Sequence, residues 1–160
     1  MNSKTLVALT LCTLASSAIA VQEDSGAQTL PIVKASVSTA GPYGENWYLT
    51  LTPEGQVSLQ VFYSSRPSGN LLANFNLGEE TVVAIKDALE ANDFFALPSQ
   101  AEPAQVAMHR PNLTIEVYLG AEHHTATLYD PEALESDPTT ARFLAVWEAI
   151  FEGLPFQPSW

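Results

Sequence analysis

Residues 47–63 read WYLTLTPEGQVSLQVFY, and this stretch decides the fold. On either side of TPEG, apolar and polar side chains alternate with period two, as in strands with one buried face. Pro53 presets φ at the second turn position and Gly55 relieves the exit, so the two runs are expected to fold back on one another. Working outward, IVKASVST (32–39) reads as a further, less regular strand, and LLANFNL (71–77) as a fourth. The intervening GPYGEN and SSRPSGN segments read as loops. No helical crossover separates these four strands, so an antiparallel meander is expected.

The period then changes. In GEETVVAIKDALEAND (78–93), Val82, Ile85 and Leu89 recur at helical spacing, and Glu79 and Glu80 lie where carboxylates meet the positive end of the helix dipole. Phe94, Phe95 and Leu97 form an apolar plug that would dock this helix on the sheet. PSQAEPAQVAM (98–108), with two prolines, reads as a mobile loop. NLTIEVYL and HHTATLY form a hairpin. Asp137 then suits an N-cap and Pro138 the first helical position of a closing helix with a Phe143, Trp147, Ile150 and Leu154 stripe. The expected fold is α+β, a mainly antiparallel sheet of five to six strands in the order β-β-β-β-α-β-β-α, with two helices on one face.

The chain begins MNSKTLVALTLCTLASSAIA: one positive charge, a short apolar run, then small residues at Ala18 and Ala20. This is the pattern of a cleavable secretory signal, too short to span a bilayer. Residues 1–20 are expected to be the signal, cut after Ala20. Residues 21–30 would be a flexible arm and 31–160 a single domain. Cys12 is the sole cysteine and would leave with the signal, so the mature chain would carry no disulfide and no thiol chemistry. The expected location is periplasmic or extracellular, without a membrane anchor after cleavage. A formal net charge of −12 repels phosphate backbones, which argues against nucleic-acid partners.

Alternation sorts the strand residues into a core face and an outer face. The outer face is polar but carries aromatic residues, which makes Tyr48, Phe62, Tyr118, His123 and Tyr129 the candidate ligand-binding residues. The histidine pair at 123 and 124 invites a catalytic or metal reading. Parity decides against it: the two strands of the hairpin join without a bulge only through an even-length loop. A two-residue Gly120-Ala121 turn sets Tyr118 opposite His123 and Val117 opposite His124. Adjacent strand residues point to opposite faces and cannot both reach one metal ion. No metal site or cofactor is expected, and the sequence identifies no catalytic residue, phosphate loop or nucleophile elbow.

A Tyr-containing strand (Tyr48, Leu49, Leu51), a Gly55 turn and a second strand from Val57 lead to a helix. The Phe94-Phe95-x-Leu97 plug, a hairpin and a closing helix follow. From about Trp47 to Leu154 this arrangement resembles small exported bacterial domains of unknown function. The resemblance implies a fold type and an envelope location, and no activity. The functional expectation is a non-catalytic secreted or periplasmic binding module for a protein or small ligand of the cell envelope. The alternative is a small exported hydrolase, metal-assisted near His123, His124 and Glu116.

Overall fold

The structure is a computed structural model, and it describes residues 30–39, 44–63, 70–105 and 107–155. The expected signal, the Ala20 cleavage site, the arm up to residue 29 and the loop at 64–69 lie outside the described residues. The strands are β1 (Ile32–Thr39), β2 (Glu45–Leu51), β3 (Gln56–Tyr63), β4 (Leu71–Asn76), β5 (Gln100–Ala101), β6 (Pro111–Leu119) and β7 (Glu122–Tyr129). Two helices, α1 (Glu79–Ala91) and α2 (Pro138–Glu152), complete an α+β domain.

The sheet has seven strands in the order β4-β3-β2-β1-β6-β7-β5. The first four pair as the expected antiparallel meander, and β6 and β7 as the expected hairpin. The sheet exceeds the expected five to six strands by one, β5, and the place of β1 in it was not expected either. Strand β1 joins the halves, with β2 on one side and β6 on the other. Strand β5 adds a two-residue parallel pairing to β7, which makes the sheet mixed. It arises because the buried Phe94 plug brings the chain beside β7, where the Thr127 amide donates to the Ser99 carbonyl at 3.0 Å. The segment holding β5 was expected to be a mobile loop. Two residues between prolines are too few to display a period.

Period-two patterning puts Val33, Leu49, Leu51, Leu59, Leu113, Ile115, Val117 and Leu128 into the core. The helices cover that face with Val82, Ile85 and Leu89 from α1 and with Phe143, Val146, Trp147 and Ile150 from α2. Trp147 stacks between Phe143 and Phe151 and is 1% exposed, the most voluminous fully buried side chain of the domain. Helix α2 starts where its N-cap places it: the Asp137 carboxylate accepts from the Thr139 amide at 2.8 Å, and Pro138 occupies a position that needs no donor. No helix among the described residues is long and apolar enough to cross a membrane.

Both tight turns follow from glycine. Gly55 adopts φ 81 and its amide donates to the Thr52 carbonyl at 3.0 Å. A Cβ at this position would collide with the Leu77 carbonyl oxygen. Gly120 adopts φ 61 while Ala121 keeps a negative φ, the combination that a type II′ hairpin turn requires. The resulting register sets Tyr118 opposite His123 and Val117 opposite His124.

Candidate functional site

The outer face is uncovered by helices and divides into two regions. In the first, β1, β6 and β7 bring Lys34, Glu116, Tyr118 and His123 together. Lys34 and Glu116 are direct cross-strand partners although 82 residues apart, and Lys34 Nζ donates to Glu116 Oε2 at 3.0 Å. On the other carboxylate oxygen, Tyr118 Oη donates to Oε1 at 2.5 Å and His123 Nε2 bonds it at 3.1 Å. His123 also stacks on the Tyr118 ring, with centroids 4.2 Å apart, and Lys34 Nζ lies 4.9 Å from the centroid of that ring.

The electrostatics follow from those contacts. The Tyr118 hydroxyl, then the Lys34 ammonium and His123, hold the Glu116 carboxyl ionised, with its pKa lowered from 4.5 to about 2. The Glu116 hydrogen bond in turn raises the Lys34 pKa. An ionised carboxylate only accepts, so the bond to His123 requires the proton on Nε2. Each donor aimed into the cluster is already engaged on Glu116, and a carboxylate held this far below neutrality is a weak base. The cluster reads as an internally satisfied strap across three strands.

His124 points the other way, as the parity argument requires. Its ring packs edge-on against Phe94 at 5.5 Å and beside Phe95 at 6.5 Å, and its buried Nε2 has no hydrogen-bond partner among the described residues. The three residues named for a metal-assisted hydrolase therefore do not converge: Glu116 and His123 share the outer face and His124 the inner. Among the described residues, no three His, Cys, Asp or Glu side chains form a group able to hold a metal ion.

The second region lies on β2, β3 and β4. Tyr48 and Phe62 meet edge to face with centroids 5.7 Å apart, and Tyr48 is 50% exposed and Phe62 36%. With Asn46 and Gln60 they line a shallow depression of about 490 Å³. Leu72, directly across from Gln60 on β4, is 63% exposed and extends the apolar surface to the sheet edge. Among the described residues, no charged side chain lines this depression.

The five candidate binding residues thus fall into three places. Tyr48 and Phe62 form one pair, and Tyr118 and His123 another. From the register, the pairs are separated by two strand spacings, about 10 Å, and four residues, about 13 Å along the strands. Tyr129 stands apart, about 20 Å along the hairpin from Tyr118, and its hydroxyl donates to the Ala107 carbonyl. That bond ties Ala107 to β7.

Sequence reasoning missed Lys34 and Leu72. Lys34 is a lone cation in an irregular strand, and only long-range pairing brings it to Glu116. Leu72 is an apolar residue on the polar face of its strand, which was a visible signal. Asp130 was also missed. It is 3% exposed, adopts φ 50, and has Arg110 Nε 3.6 Å from its carboxylate, with Arg110 Nη1 also bonding Glu132 at 3.1 Å. These contacts close the base of the hairpin, where the Asp130 amide donates to the Pro111 carbonyl at 3.0 Å.

No known family model matches this chain, and no curated protein matches it.

Proposed function

We propose that this chain is an exported, non-catalytic binding module of the cell envelope, and that it binds through the β2–β4 half of its outer sheet face. One observation carries the reading: Tyr48 and Phe62 stand exposed over a depression with no charged lining among the described residues, Leu72 is exposed across from its Gln60, and no helix of the described residues covers them. Contiguous exposed apolar and aromatic surface rimmed by amides is the usual anatomy of a contact site. The chemistry-bearing residues support the same reading from the other side, since Lys34, Tyr118 and His123 each direct a hydrogen bond to Glu116. The export half of the proposal rests on residues 1–20 and their small-residue cleavage pattern. The partner is a protein or small ligand of the envelope. Nucleic acid is a poor fit to a chain of net charge −12.

The test is a pair of double variants purified from the secreted or periplasmic fraction. Tyr48→Ser with Phe62→Ser should keep a native circular dichroism spectrum and lose the co-purifying partner. Tyr118→Ser with His123→Ala should keep the partner. The opposite pattern would move the binding site to the polar cluster and overturn the proposal.

A further inference from the structure

We infer that the open edge of β4 takes up an extended, basic segment of a partner protein as an added eighth strand. This inference rests on the reading of the β2–β4 half as the binding side, and it names the kind of partner.

Strand β4 ends the sheet on one side, so one row of its backbone donors and acceptors has no strand partner among the described residues. Natural sheet edges are commonly blunted by lysine, proline, a bulge or extreme shortness. The opposite edge, β5, is two residues long. Strand β4 is six residues long, reads LLANFN, and contains neither a charge nor a proline. Its side chains are also exposed on both faces. Leu71, whose parity puts it on the core face, is 45% exposed, and Leu72 on the outer face is 63% exposed. On the neighbouring β3 the core-face residues Val57, Leu59 and Val61 are all buried. Leu71 and Leu72 lie on opposite faces at the same end of β4, and an added strand would help to cover both.

Charge indicates what that strand is. The β2–β3 turn and the start of α1 abut the Asn76 end of β4, where the Leu77 amide donates to the Gly55 carbonyl at 2.8 Å. Glu54, Glu79 and Glu80 stand exposed there, and none of them joins an ion pair among the described residues. A segment with lysine or arginine at that end and small apolar residues along β4 is complementary in both respects. A second copy of this chain is disfavoured. Both copies carry the same net charge of −12, which opposes the pairing of one edge with another, whereas a basic segment is attracted.

The test uses the full mature chain and a fluorescent peptide of two lysines followed by alternating valine and threonine. A second peptide replaces the lysines by glutamates. Two more carry N-methyl groups on alternate residues in either register, which blocks one row of main-chain donors. The account predicts binding of the lysine peptide, at least about tenfold weaker binding of the glutamate peptide, and loss in one N-methyl register only. Leu71→Lys with Leu72→Lys should weaken binding about tenfold or more while the chain stays folded, since both residues are exposed. Equal binding of both N-methylated peptides, or no binding of the lysine peptide, would overturn the inference. So would a dimer in analytical ultracentrifugation that the Leu71→Lys/Leu72→Lys variant dissolves, because the edge would then serve a second copy. Failure of the peptide while partner recovery still depends on Tyr48 and Phe62 removes the edge and leaves the face reading standing. Peptide binding as expected, with partner recovery indifferent to Tyr48 and Phe62, does the reverse.

Discussion

The two halves of the outer face are built from similar materials and end in opposite states. Around β6 and β7, a carboxylate, a phenol, an imidazole and an ammonium close on one another, with Glu116 at the centre. Around β2 to β4, two aromatic rings and a leucine face solvent, and the amides of Asn46 and Gln60 lie beside the rings. The first region has the residues that usually attract attention and little unspent bonding capacity. The second has no chemistry of its own and a surface that gains by being covered. The lesson is that a group's interaction capacity is what its neighbours leave it, and three donors on one carboxylate leave little.

The largest effect expected is common to both halves, because they rest on one core. Trp147→Ala removes the ring stacked between Phe143 and Phe151 and should cost about 3–5 kcal/mol in chemical denaturation. Both regions should be lost in a single transition. Separate transitions would show that the halves are independent, and a loss under about 1 kcal/mol would show that α2 does not pack on the sheet as described.

The two halves can then be weakened separately. Acid should act on the β6–β7 half. Because the folded-state pKa of Glu116 is depressed, its contribution is present above the ordinary value of 4.5 and is lost as pH falls from there to about 2. That contribution is at most about 3 kcal/mol and is reduced by solvent screening. Glu116→Gln should flatten the stability profile across this window, and an unchanged profile would mean that the cluster does not couple to folding. On the other half, Gly55→Ala should cost about 1–3 kcal/mol, since φ 81 and the Leu77 carbonyl both oppose a Cβ. Amide exchange should quicken along β3 and β4 and stay slow in the β6–β7 hairpin.

The smallest stability effect belongs to the proposed binding surface. Tyr48→Ser also gives up the edge-to-face contact with Phe62 and should cost about 1 kcal/mol, and Leu72→Lys should change stability by no more than about 0.5 kcal/mol. A loss of several times that would make Tyr48 and Leu72 part of the fold and leave them unavailable for binding.

Much of this was legible in the sequence where local periodicity or parity speaks. The meander follows from alternation around Gly55, the start of α2 from Asp137 and Pro138, and the opposite directions of His123 and His124 from an even-length loop. What stayed hidden depends on pairing between distant strands. Nothing near Ile32–Thr39 says that β1 lies between β2 and β6, so the meeting of Lys34 with Glu116 could not be foreseen. Glu116 and His123 are diagonal neighbours on the hairpin, and the register alone does not show that their side chains lean together and meet at 3.1 Å. Parity assigned Leu71 to the core face, but it carries no information on how near a strand lies to the sheet edge, and that position leaves Leu71 exposed.

Amide chemical shifts would trace the footprint of the lysine–valine–threonine peptide, residue by residue, as it is titrated into the isotopically labelled chain. The account predicts that the shifted amides lie at residues 71–76 and extend to Phe62 and Tyr48, with Lys34, Glu116, Tyr118 and His123 unmoved. Shifts centred on Glu116 and His123, with β4 silent, would contradict it.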